Sequence, residues 1–231
     1  MSMELNVPQV VTEERSFLTQ VFAWMGLGLA VTGGVAAFVA SDPALVQIFQ
    51  VNRVVFYGIA IVEFILVFKF SGIVASTTSA AMATVMFLTF ATLNGLTLAC
   101  IFLLYTQSSI ATAFIATAGT FGIMSLYGYI SKTDLTKMGN LCFMGLIGII
   151  IASVANMWFH NPTIMWITTY ASVFIFVGLT AYDTQKIKGM FHGEAHSEEE
   201  GKAAISGALM LYLDFVNLFL SVLRVMGRRR N

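Results

Sequence analysis

Between Lys69 and Lys132 the chain carries no Asp, Glu, Lys or Arg. The same holds between Arg15 and Asp42, and between Lys137 and Asp183. Soluble domains are about 25% charged, and their surface elements do not tolerate such runs; here 10% of the 231 residues are charged and 58% are hydrophobic. A bilayer is the solvent these runs fit. A spanning helix needs about 20 apolar residues, so the gap after Arg15 holds one helix and the other two hold two each. A stretch over 53–71 adds one, and 203–226 adds the last. The expected fold is all-α: a polytopic membrane protein of seven transmembrane helices, over 17–40, 53–71, 78–104, 109–130, 138–159, 164–188 and 203–226. Around this transmembrane domain, 17–226, lie an N-terminal tail, 1–16, and a basic tail, 227–231.

Composition narrows the chemistry. Acids and bases balance at 12 each, so no basic surface suggests nucleic acid. Cys100 and Cys142 fall inside apolar runs and read as small buried hydrophobes. His160, His192 and His196 fall in expected loops, and no HxxxH or CxxC spacing occurs, which argues against zinc. The first 16 residues lack a basic n-region, and the apolar run after them is too long for a signal h-region, so it reads as a retained first helix. Turn chemistry marks the breaks at Ser41-Asp42-Pro43, Ser71-Gly72, Thr106-Gln107-Ser108-Ser109, Ser131-Lys132-Thr133-Asp134 and His160-Asn161-Pro162. The connection over 189–202 is Glu-rich, with Glu194, Glu198, Glu199 and Glu200, and reads as a mobile loop. With the N-terminus in the cytoplasm, the internal loops hold Lys69, Lys132, Lys137, Lys186, Lys188 and Lys202, as the positive-inside rule asks. The Arg228-Arg229-Arg230 tail opposes that rule, so either it stands outside or the last segment does not fully cross.

Three acids lie at membrane depth: Glu63, Asp183 and Asp214. An ionised carboxylate at the bilayer centre costs about 2.5–3.5 kcal/mol on insertion scales, so each must be paired, protonated or facing water. Asp214 shares its helical face with Gly207, Met210, Asn217 and Ser221, a small and polar face that should point into the bundle. The bland alternative is a polar residue joining helices through one hydrogen bond. A hairpin of the last two helices leaves Asp183 and Asp214 about 6 Å apart in depth. Carboxyl groups that close, in low dielectric, would share a proton and act as a pH sensor. Asp183 has a plainer reading too, as an interfacial acid paired with Lys186 or Lys188. Glu63 stands on an apolar face, so its partner must come from another helix; Lys69, about 120° round, is better placed to snorkel. Asn94 is a weaker candidate of the same kind.

Other chemistries lose on missing parts. A retinal protein needs a lysine inside the last helix, and an intramembrane serine protease would want a histidine at membrane depth. No nucleophile–base pair is visible, so an enzyme is not expected. Gly26-Leu27-Gly28 and the small-residue stretches 111–122 and 145–153 suit close helix packing.

The segments Leu179-Thr-Ala-Tyr-Asp-Thr-Gln-Lys-Ile187 and Leu211-Tyr-Leu-Asp-Phe-Val-Asn-Leu-Phe219 resemble the C-terminal signature of the Bax inhibitor (transmembrane Bax-inhibitor-motif) family. The run Thr133-Asp-Leu-Thr-Lys-Met-Gly139, Asn94-Gly95 and Glu63 fit as well, and the likeness covers the chain after Arg15. The resemblance implies a bacterial member with a central last helix wrapped by the other six. It implies a pH-sensitive calcium leak, with Asp183 and Asp214 as sensor and weak, transient calcium ligands. Glu63, with Asn217 and Asn94, would then line the ion path. Some members carry an arginine near the end of helix two that latches one of these aspartates; here that region reads Phe68-Lys-Phe-Ser-Gly-Ile-Val-Ala75, with Lys69 the nearest cation. The expected partners are the lipid bilayer of a bacterial cytoplasmic (inner) membrane, calcium as transported ion, and protons. No cofactor is expected. The alternative is a non-conducting regulator that binds another membrane protein, such as a membrane-bound protease.

Overall fold

A computed structural model describes residues 7–75, 79–191 and 197–230, with side chains described from Thr12 and omitted over 71–75. Glu4, His192, Glu194, His196 and Asn231 lie outside the described residues. The helices are α1 (Val7–Ser41), α2 (Pro43–Val46, continued by a π-helical turn over Gln47–Val51), α3 (Arg53–Ala75), α4 (Ala80–Leu98), α5 (Cys100–Leu104), α6 (Gln107–Ile130), α7 (Thr136–Phe159), α8 (Pro162–Lys188) and α9 (Glu198–Met226). Among the described residues six spans are long and apolar enough to cross a bilayer, and the pair Pro43–Val51 with Arg53–Phe70, bent by 68°, brings the number to seven where it crosses as one broken span. The fold is therefore an all-α, polytopic membrane protein.

Local chemistry sets the boundaries. Asp42 accepts from the Ala44 N–H at 2.8 Å with Pro43 at the first helical position, so 43–51 is helical where the sequence reads as a loop. Asn52 then breaks the chain with an extended backbone and caps α3 through the N–H of Val54, at 3.1 Å. Ser79 and Thr106 cap α4 and α6 in the same way. The expected span over 78–104 runs from Ala80 to Leu104, with a turn at Ala99 between α4 and α5. α7 ends at His160 in the left-handed region, φ 50°, where the next N–H, that of Asn161, donates to the Asn156 side chain at 2.8 Å. α9 starts earlier than the expected 203. Glu198, Glu199 and Glu200 form its first turn, where acids complement the helix dipole, so this part of the connection is helix and not loop. Glu198 also accepts from the Ala80 N–H at the start of α4, and Lys202 pairs with Glu199 at 2.7 Å.

The chain divides into two compact units, Met1–Leu104 with Lys188–Tyr212, and Tyr105–Ile187 with Leu213–Asn231. α9 contributes to both, and half of its span is buried against 6% for α7, so the C-terminal helix is the most enclosed span. In the first unit α1 and α4 close on each other where Gly95 lies under Val35 and the Thr32 carbonyl; a Cβ there would stand 2.7 Å from Val35 Cβ. Gly28 similarly admits the Phe87 ring. Glu14 pairs with Lys188 at 3.6 Å.

In the second unit a Cβ on Gly128 would strike the Ala181 carbonyl, and one on Gly139 the Tyr182 ring. Gly145 meets Ile175, but Gly119, Gly122 and Gly148 face open space. The small-residue stretch of α6 packs instead through Ala113, Thr117 and Phe121. Gln185 closes one end of this unit: its Oε1 accepts from the Leu135 N–H at 2.9 Å and its Nε2 donates to the Thr133 carbonyl at 2.9 Å. At the start of α6 the tail is held by Thr106 N–H to the Arg228 carbonyl, 3.2 Å, and Arg228 N–H to Ser109 Oγ, 2.9 Å. With 29 residues, α9 is long enough to cross, and its end is fixed at the membrane face where α6 begins.

Gly128→Ala should cost at least the about 1–3 kcal/mol of an overpacked core, because backbone cannot yield. Gly119→Ala, in open space, should gain about 0.5–1 kcal/mol from reduced chain entropy. Thermal unfolding of the two variants in detergent therefore separates in opposite directions from the parent. Gln185→Leu strands the N–H of buried Leu135, at about 1–3 kcal/mol for an unmet buried group. Amide exchange over 131–136 should speed up while that of α9 stays slow.

Candidate functional site

The second unit brings Asp183 of α8 and Asp214 of α9 close enough for their carboxyl groups to act on each other. Asp214 is 4% exposed, and its Oδ2 finds no protein partner among the described residues. Asp183 is partly exposed, with the positive charge of Lys186 acting on it from the next turn. The approach rests on small residues. Gly128 and Gly139 remove side chains opposite Ala181 and Tyr182, and Gly178 leaves room for Cys142 Sγ, so α6 and α7 press on α8 just before Asp183. On the other side Phe215, next to Asp214, meets Phe121 at 5.3 Å and Phe114 at 5.4 Å between ring centroids, which walls the carboxyl with apolar surface.

Two carboxyl groups this close in a low-dielectric setting do not readily ionise together. No group of three or more His, Cys, Asp or Glu converges among the described residues.

The first unit holds Glu63 of α3. Its Oε1 accepts from the Thr97 hydroxyl at 3.1 Å, and Asn94 Nδ2 approaches Oε2 at 3.5 Å. Asn94 Oδ1 accepts from the Tyr212 hydroxyl at 3.0 Å, and Tyr212 Oη lies 2.7 Å from the Thr32 hydroxyl. Tyr212 is fully buried, edge-on to Phe87 and Phe90 at 5.8 Å each. Its hydroxyl therefore depends on these partners. Lys69 is exposed, so the cation expected to snorkel is free to do so.

The structure thus joins Asp183 to Asp214, and Glu63 to Asn94. It turns Asn217 away from both sets: its Nδ2 donates to the Leu213 carbonyl of its own helix at 2.8 Å, and Ser221 bonds back to the Asn217 carbonyl at 2.8 Å. The sequence reading passed over Thr97, Tyr212 and Thr32. Thr97 had a signal, because it stands three residues from Asn94 and shares its face. Tyr212 had another, a phenol deep in an apolar run that must find a partner. Tyr212 and Asp214 are two residues apart on one helix, about 200° round from each other, so they serve different surroundings.

A family model described as "Inhibitor of apoptosis-promoting Bax1" matches residues 14–231. The chain is 46% identical over 220 residues to the "Inner membrane protein YbhL" of Escherichia coli K12, covering 94% of this chain and 93% of that one. It is 42% identical over 224 residues to an uncharacterized protein of Borreliella burgdorferi, with 96% of each covered. An uncharacterized membrane protein of Streptococcus pyogenes serotype M3 is 36% identical over 218 residues, with 92% of each covered. With a family match across nearly the whole chain and relatives this similar end to end, the chain belongs to the Bax inhibitor family of integral membrane proteins.

Proposed function

We propose that the protein is a pH-sensitive cation leak, with calcium as the transported ion, gated by the Asp183–Asp214 pair. The observation that carries this reading is the close pair of carboxyl groups, one of them buried, on two apolar helices long enough to span a membrane. A structural joint between helices would be met by an amide or hydroxyl without the cost of a charge in low dielectric. An acid pair earns its place only if its charge changes. When the shared proton leaves, the two carboxylates repel and attract a cation. When both are protonated, the site is neutral and a cation has no reason to stop there. An ion conducts only where it binds weakly enough to leave, and two carboxyls meet that condition for calcium. Glu63 is a second acidic station, in the other unit. The similarity to an inner membrane protein supports a bacterial cytoplasmic membrane as the location. The lysines of the internal loops support a cytoplasmic N-terminus, with the Arg228–Arg230 tail outside.

The test is calcium entry into dye-loaded proteoliposomes of the pure protein across the acidic-to-neutral range. The parent should conduct with a clear pH dependence. Asp183→Asn and Asp214→Asn should each flatten that dependence, because neither leaves a pair that can share a proton. A folded protein that passes no more calcium than empty liposomes at any pH would refute the leak. It would assign the family fold here to a non-conducting regulator of another membrane protein.

A further inference from the structure

The hydroxyls beside Glu63 make more contacts than they have protons. Thr32 Oγ1 is 2.8 Å from the Ala91 carbonyl and 2.7 Å from Tyr212 Oη, and Tyr212 Oη is 3.0 Å from Asn94 Oδ1. Three contacts are served by two hydroxyl protons. One proton makes one good hydrogen bond, so one contact always goes unserved; leaving the 2.7 Å contact between the Thr32 and Tyr212 oxygens without a proton sets two lone pairs against each other, and the other two arrangements give the chain two favoured directions.

In the first direction Thr32 donates to Tyr212, Tyr212 donates to Asn94 Oδ1, and Asn94 Nδ2 donates to Glu63 Oε2. Thr97 donates to Glu63 Oε1, so the carboxylate is met at both oxygens. The Ala91 carbonyl gives up its hydroxyl donor but sits inside α4, where the helix supplies an N–H. In the second direction Tyr212 donates to Thr32 and Thr32 donates to Ala91. Asn94 Oδ1 then faces a bare oxygen unless the amide turns over, and the turned amide sets its oxygen against Glu63. That arrangement stands only with a proton on Glu63. Thr97 has a matching choice, since its hydroxyl lies 3.1 Å from Glu63 Oε1 and 3.0 Å from the Asn94 carbonyl.

We propose that Tyr212 and Thr32 are positioning residues for Glu63. Their hydroxyls set which end of the Asn94 amide meets the carboxyl, so the proton on Glu63 and the direction of the hydrogen bonds reaching α9 change together. The surroundings leave little else to do this. α4 carries no charged residue, and α1 carries none between Arg15 and Asp42. Lys69 on α3 is exposed, and on α9 the titratable group tied to this cluster is Tyr212 itself, which feels the charge of Glu63. The bearing of this relay on ion passage rests on the leak proposed above; the amide orientation does not.

The test is infrared spectroscopy of the full chain in lipid, with Glu63→Gln identifying the Glu63 carboxyl band. Tyr212→Phe keeps the ring against Phe87 and Phe90 and removes only the hydroxyl. It should move the Glu63 band and the Asn94 amide band together. Thr32→Val should move both in the same sense by less, and Thr32→Ser should restore them. Phe90→Leu loosens the packing of the same ring without touching a hydrogen bond and should leave the Glu63 band in place. A Glu63 band unmoved by Tyr212→Phe in folded protein, or moved equally by Phe90→Leu, would overturn the assignment. Calcium flux read on the same samples separates the two proposals. Flux altered alike by Tyr212→Phe, Glu63→Gln and their combination upholds the relay as part of the leak. Band shifts in a parent that passes no calcium uphold the positioning and remove only the leak.

Discussion

Inside the hydrocarbon region there is no water, so every polar atom must be met by the protein. Most of the polar side chains here meet the requirement locally. Thr117, Thr120, Thr180, Thr184, Ser172 and Ser221 each donate to the carbonyl four residues back, and Asn217 does the same through its amide. Such groups are quiet: they add little between helices and ask nothing of their neighbours. A carboxyl or a phenol cannot be satisfied this way, because neither an acceptor-only group nor a long rigid ring can reach back to its own helix carbonyl. Glu63, Asp183, Asp214 and Tyr212 must therefore look across to other helices. The two polar clusters are what remains once the self-satisfying residues are set aside.

Reaching across requires close backbones, and this is where the glycines act. Gly128 and Gly139 stand opposite Ala181 and Tyr182, and Gly95 stands under Val35 and the Thr32 carbonyl. In each case a methyl group would collide with something that cannot move far. Other glycines of similar setting in the sequence, such as Gly119 and Gly148, face open space. Small-residue composition therefore does not mark a contact in a membrane helix. Contact depends on which face the residue takes, and seven helices that are apolar all round give the sequence no periodicity from which to read that face.

The same limit explains what was legible and what was not. The spans could be read because, Glu63, Asp183 and Asp214 aside, charges are confined to their ends. The acid pair could be read because Asp183 and Asp214 flank one hairpin at similar depth. The helix over 43–51 was hidden by Pro43 and Asn52, which look like loop residues but act as an initiator and a cap. The turn at Ala99 leaves no trace, since alanine favours helix. The early start of α9 was masked by three glutamates, which suit a loop and a first helical turn equally well. That Glu63 needs a partner followed from its own apolar face. That the partners are Thr97 and Asn94, with Tyr212 behind them, depends on the rotation of α4 and α9.

α9 ties these observations together mechanically. Tyr212 and Asp214 are separated by about 3 Å of helix rise and about 200° of rotation. Between them runs one uninterrupted helix, Glu198–Met226. A helix yields by bending gently over many residues, not by compressing across two. Tyr212 is held by contacts of its own within the first unit. The contacts there have little slack. Thr32 and Asn94 lie 2.7 and 3.0 Å from the phenol oxygen, and such bonds weaken beyond about 3.2 Å. A shift of a few tenths of an ångström would weaken the longer contact first, the one that holds the Asn94 amide toward Glu63. The surroundings of each acid are therefore set within its own unit: Glu63 by Thr97, Asn94 and, behind them, Tyr212, and Asp214 by Asp183.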